Sequence, residues 1–177
     1  MNRRLLIIVL MACLLPLGMQ AQQGTFRFAQ LTDIHLTPNN PNPTEDLLRS
    51  IAQINATDSI DFVLVTGDLT EEGDRATMEK VKSCLDLLKV PYHVALGNHE
   101  TKWSDSGCTA FGEIFGGERF EFEHKGFLFL GFNSGPLMRM AYGHVVPQDI
   151  RWMTEEMEKN GKDKPAVSYT HLRAHET

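Results

Sequence analysis

Cysteine is scarce, with three among 177 residues, and none belongs to the polar motifs described below, which argues against a soft thiolate metal centre. Positive charge is short as well. Lys and Arg number 17 against 23 Asp and Glu, a formal net charge of −6, which argues against general affinity for nucleic acid or an anionic membrane surface. No internal repeat, low-complexity tract or dividing linker stands out. What is present is a globular composition, 42% hydrophobic and 23% charged, on a chain long enough for one domain.

The apolar run at 5–17 is too short for a membrane span and is broken by Pro16 and Gly18. Arg3 and Arg4 precede it and small or polar residues up to Ala21 follow, the pattern of a cleaved signal peptide over 1–21. The protein is therefore expected to be exported, periplasmic or secreted, with no integral span after processing. An uncleaved anchor or a buried strand is the plainer alternative. A lipid anchor at Cys13 in "LMAC" ranks lower, because the apolar "LLPLG" follows where a polar tether would be expected. Cys84 and Cys108 remain after processing. Export would let them pair, but Cys84 lies beside the apolar side of a helix and fits a buried thiol, so no disulfide is expected.

Residues 25–167 read as strands alternating with helices. "FRFAQL" (26–31), "DFVLVT" (61–66) and "YHVAL" (92–96) are strands, the second apolar throughout as if buried on both faces. Helices are expected at 44–56, with Thr44 as N-cap, and at 74–89, with Asp74 as N-cap. The β-α-β-α-β order predicts a parallel sheet with right-handed crossovers. A hairpin turning at Lys125-Gly126 follows, then a helix at 147–161 with Ile150, Met153 and Met157 on one face and Gly161 at its end, then a strand beginning in "AVSYT".

Each of the first three strands stops at polar residues: Asp33-Ile34-His35, Gly67-Asp68, and Gly97-Asn98-His99-Glu100. In an open parallel sheet the carboxyl ends of the strands face one crevice. Asp33, His35, Asp68, Asn98 and His99 can therefore converge there. Carboxylate, imidazole and amide oxygen together suit Mn, Fe or Zn. One aspartate can bridge two ions roughly 3.5–4 Å apart, the spacing that supports in-line displacement at phosphorus. A histidine just outside the ligand set can protonate the leaving oxygen. Any one of these motifs alone would read as a polar turn; three in this order, each at a strand end, would not.

"DIH", "GDLTEEGD" and "GNHE" resemble the calcineurin-like metallophosphoesterases in sequence, order and spacing, from Phe26 to Glu100 and more weakly through "QDIRWM". The resemblance implies an α/β (α+β sandwich) fold of four layers, αββα, incomplete in this chain. It implies a phosphatase or phosphodiesterase acting on a small phosphoester through two divalent or trivalent ions and a bridging hydroxide. Asp33 and His35 would bind the first ion, Asp68 would bridge, and Asn98 would bind the second. His99 would orient the phosphate or protonate the leaving group. No specific nucleic-acid binding is implied.

The family pattern also has a later histidine at a strand end and a G-H-x-H segment, and no G-H-x-H occurs here. His171 falls where the later histidine would stand. "SYTHLRAHET" (168–177) is polar and basic where an apolar strand is expected, and resembles a translated sequencing-adapter tail. It is read as non-native, and His171 and His175 stay outside the site. The competing readings are a non-catalytic metal- or phosphate-binding module and an inactive truncated fragment. Blander roles go to Glu71 and Glu72, on a solvated loop, and to His93, structural within its strand. His124 and His144 receive none. Phe120, Phe122, Phe127 and Phe129 are read as core. Glu100 fits either a partner fixing the tautomer of His99 or a surface carboxylate.

Overall fold

The computed structural model describes residues 24–135 and 143–171; the expected signal peptide, Cys13 and His175 lie outside them. Three strands, β1 (Phe28–Leu31), β2 (Phe62–Thr66) and β3 (Tyr92–Ala95), form a parallel sheet in that order. The crossovers are α1 (Asn42–Ala56) and α2 (Arg75–Leu85). Two short helices follow, α3 (Asn98–Lys102) and α4 (Thr109–Phe115). A second sheet then pairs β4 (Phe120–His124) antiparallel with β5 (Phe127–Gly131) through the turn at Lys125-Gly126. The last helix, α5 (Pro147–Asn160), leads to β6 (Ala166–Tyr169), which lies parallel to β5.

Every residue of β2 is buried, as its continuous apolar run predicts. Its two faces serve different cores. Val63 and Val65 pack with Leu47 and Ile51 of α1, Met78, Val81 and Leu85 of α2, and Phe111 of α4. Phe62 and Leu64 point to the other side, where they meet Phe129, Phe122, Phe127 and Tyr169 of the second sheet. Of the hairpin phenylalanines expected in the core, Phe129 is buried and Phe122 and Phe127 pack on it half-buried, while Phe120 lies at the margin against His93 and Tyr169. Phe62 meets Phe129 edge-on at a centroid distance of 5.2 Å, and Phe122 stacks on Phe129 at 4.7 Å. With α5 touching β5, the layers run helix, sheet, sheet, helix.

Some boundaries differ from expectation. α1 starts at Asn42 after Pro41, so Thr44 lies in its first turn and caps nothing. Proline's fixed φ preorganises a helix start without a side-chain cap. Asp74 does cap α2, accepting from the Thr77 N–H at 2.9 Å. That helix stops at Leu85 rather than at 89. Asn55 of α1 reaches over to bond Leu87 O and Lys89 N, both at 2.8 Å, and so satisfies the backbone that leaves the helix. Gly161 ends α5 with φ +99°, but the apolar face expected on that helix is thinly covered: Ile150 is 54% exposed and Met157 42%. Cys84 is buried, Cys108 half-buried, and both thiols are free.

His93 lies between the sheets, with its ring stacked on Phe122 at 3.7 Å and 3°. Burial holds its pKa down at about 4, so the folded state keeps the ring neutral while the unfolded chain protonates near 6.5. The folded state is therefore undisturbed above pH 6.5 and loses stability as pH falls toward 4. Between pH 7.5 and pH 5 the expected loss from this one residue is about 2 kcal/mol. Urea unfolding at the two pH values should show that loss in the parent chain and not in His93→Phe.

Candidate metal centre

The first two strand-end loops run side by side. Asp33 N–H donates to Gly67 O at 3.2 Å, His35 N–H to Asp68 O at 3.0 Å, and Leu36 N–H to Leu69 O at 3.0 Å. Glu71 N–H returns a bond to Leu36 O at 2.9 Å. To present side chains outward from this lacing, Asp33, His35 and Asp68 all take left-handed backbone, with φ of +54°, +49° and +49°. Each such residue costs about 1–2 kcal/mol relative to the right-handed form. Strain concentrated on three residues of one rim is a mark of a functional site.

The third loop closes against the second at Gly97. A Cβ there would stand 2.1 Å from Asp68 Oδ1, so only glycine permits the approach. Asp68 Oδ1 accepts from the His99 N–H at 3.0 Å. Asn98 and His99 are the first residues of α3, which begins right after β3, so Asn98 stands on the same rim, half-buried.

Asp68, only 4% exposed, is the hub. Its Oδ2 lies 3.8 Å from His35 Nε2, 3.9 Å from His99 Nε2 and 3.1 Å from His171 Nε2. His35 Nε2 is also 3.9 Å from Asp33 Oδ1. Among the described residues, two sets of three each bring donor atoms within 4.8 Å of one another: His35, Asp68 and His99, and Asp33, Asp68 and His171. Spacings of 3.8–3.9 Å are too long for hydrogen bonds, yet below the roughly 4.2 Å spanned by two metal–ligand bonds of about 2.1 Å. The donor set fits divalent cations of the Mn, Fe or Zn kind, with Asp68 common to both groups.

The histidines are oriented from behind. His99 Nδ1 lies 2.6 Å from Glu71 O, and His171 Nδ1 lies 2.7 Å from Thr66 O. A carbonyl can only accept, so both rings carry their proton on Nδ1 and turn Nε2 toward Asp68. His35 Nδ1 lies 3.0 Å from Glu71 Oε2, but off the line of a hydrogen bond. Burial pushes the Asp68 carboxyl up, while the His171 ring and the His99 N–H outweigh it and leave it below the usual carboxylate range. The same contact with Asp68 raises His171 to about 9. A cation entering between them would displace that proton.

Three residues therefore matter more than their sequence context suggests. His171, left outside the site on the composition of its segment, stands two residues after β6 and inside one donor group. Its position after a strand was the available signal. Glu71 is solvent-exposed, as expected, yet it also touches two histidine rings, through its carboxylate and through its backbone carbonyl. Glu100 is neither a tautomer-fixing partner nor a surface group: it is fully buried and bonded to backbone. His93 and His124 lie away from this rim, among the aromatic rings of the sheet interface.

A family model described as calcineurin-like phosphoesterase matches residues 26–175. A 3′,5′-cyclic-nucleotide phosphodiesterase of Nostoc sp. is 23% identical over 150 residues, covering 81% of this chain and 55% of that protein. A probable cyclic nucleotide phosphodiesterase of Rhodopseudomonas palustris is 32% identical over 97 residues, 51% of this chain and 33% of that protein. The chain thus spans about half or less of these relatives. Among solved structures, a purple acid phosphatase from yellow lupin shares the fold, with a TM-score of 0.53 at 15% identity, over 85% of this chain and 31% of that one.

Proposed function

Because the chain belongs to the calcineurin-like phosphoesterase family, we propose that it hydrolyses phosphoesters at a dinuclear metal site on the rim of the parallel sheet. Asp33, His35 and Asp68, with His171, would hold one ion; Asp68 and Asn98 would hold the other. The bound ions supply Lewis acidity and an activated water. The chain's own residues do the rest. Asp68 offers one buried carboxylate common to both donor groups, which would hold the ions. His99, with Nδ1 tied to Glu71 O, presents Nε2 to the substrate and can carry a proton there for the leaving oxygen.

The observation that carries this reading is the convergence of three imidazole Nε2 atoms on Asp68 Oδ2. The names of the two curated relatives favour a phosphodiester of the cyclic-nucleotide kind over a monoester. The basic and apolar start of the sequence supports export, with the site working outside the cytoplasm; no helix among the described residues is long and apolar enough to cross a membrane. Assay of bis(4-nitrophenyl) phosphate and a 3′,5′-cyclic nucleotide with Mn²⁺, and again after chelation, tests the proposal. Turnover that needs the metal is expected. Tight Mn²⁺ binding with no turnover of any phosphoester would leave only a binding module.

A further inference from the structure

Glu100 is a carboxylate with no exposed surface, at the third position of α3. Its Oε1 accepts from Leu69 N–H at 2.9 Å, Thr70 N–H at 3.0 Å and Thr70 Oγ1 at 3.3 Å. Its Oε2 accepts from Gly97 N–H at 2.9 Å. Leu69 directly follows Asp68, and Gly97 directly precedes Asn98. One side chain thus grips the residues flanking two expected ligands that belong to different loops.

The choice of a charged group is informative. All four donors are neutral, and a buried carboxylate without a cation is costly. A neutral amide would be the cheaper cap if a cap were all that was required. Glutamine, however, has one acceptor atom and one donor group, so it would turn an NH₂ toward one of the two loops. Only a carboxylate accepts on both sides. The grip also works against a tight contact, since Gly97 packs directly on Asp68 with no room for a Cβ. The loops are also joined by the bond from His99 N–H to Asp68 and by the contact of the His99 ring with Glu71 O.

We propose that Glu100 is a positioning residue that sets the distance between Asp68 and Asn98, and through it the affinity of the centre for its ions. This rests on the metal-site reading above. Calorimetric titration of the chain with Mn²⁺, beside Glu100→Gln and a core variant, Val81→Ala, tests it. Val81 is buried on α2 in the helix-side core and should lower the melting temperature alone. Glu100→Gln should bind Mn²⁺ about 10–100-fold more weakly, the usual effect of losing a group that orients a ligand, while Val81→Ala binds as the parent does. Parent-like affinity in Glu100→Gln, with only its melting temperature lowered, overturns the positioning role. If Glu100→Gln does not fold, Glu100→Asp, which is too short to reach both loops, is read by the same criterion. A parent chain that fails to bind Mn²⁺ overturns the metal-site reading itself, and this role with it.

Discussion

Asp68→Asn is expected to abolish measurable Mn²⁺ binding and to lower metal-dependent phosphoester hydrolysis by about three orders of magnitude. The substitution keeps the shape of the side chain, and its carbonyl oxygen can still accept from the His99 N–H. What it removes is the charge, and Asp68 is the one carboxylate shared by both donor groups. A bound metal ion contributes several kcal/mol at a phosphoryl transition state, and about 4 kcal/mol corresponds to the stated factor. Asp33→Asn gives the internal contrast. Its side chain is 55% exposed and belongs to one donor group only, so its effect on both readouts should be smaller. Mn²⁺ affinity in Asp68→Asn within tenfold of the parent would show that the histidines do not meet around a shared ion.

The sequence exposes this hub because the information is local. A strand whose apolar run stops at Gly67-Asp68 places the aspartate at a sheet rim whatever the rest of the chain does. The same holds for Asp33, His35, Asn98 and His99. Glu100 was not legible in this way. The bond from Gly97 N–H is a local helix-start contact three residues away, but the burial of Glu100 also needs Leu69-Thr70 to close over it from a loop about thirty residues earlier, and that contact is not encoded near residue 100. Left-handed backbone at Asp33, His35 and Asp68 is equally hidden, since it follows from backbone bonds between loops more than thirty residues apart.

Other departures have the same origin. Periodicity identifies an apolar stripe on α5 but not what lies opposite it, and Ile150 and Met157 remain largely exposed. The polar composition of 168–171 argues against a strand end. Yet Ala166–Tyr169 pairs with β5 in register, Val167 opposite Phe129, and that pairing delivers His171 to Asp68. The hairpin phenylalanines were readable because an alternating strand must bury one face, and the first sheet was the surface available to cover it.

His99→Ala should separate chemistry from metal binding. A general acid contributes about 10²–10⁴-fold, so kcat should fall by that range for an ester whose leaving group is an alkoxide, such as a cyclic nucleotide. For a 4-nitrophenyl ester the leaving phenolate needs no proton, and the loss should be at least tenfold smaller. Mn²⁺ affinity should change little, because the remaining ligands stay in place. The geometry makes this a real test. His99 Nε2 sits 3.9 Å from Asp68 Oδ2, as close as His35 Nε2 does at 3.8 Å, and the two rings meet edge-on at 4.6 Å. By distance alone His99 could be a ligand. What distinguishes it is its place directly after the expected ligand Asn98; the tie of Nδ1 to Glu71 O does not, since His171 is held by a carbonyl in the same way. Equal loss for both leaving groups, together with Mn²⁺ binding weakened as much as by removal of His35, would make His99 a metal ligand and leave the proton to another group.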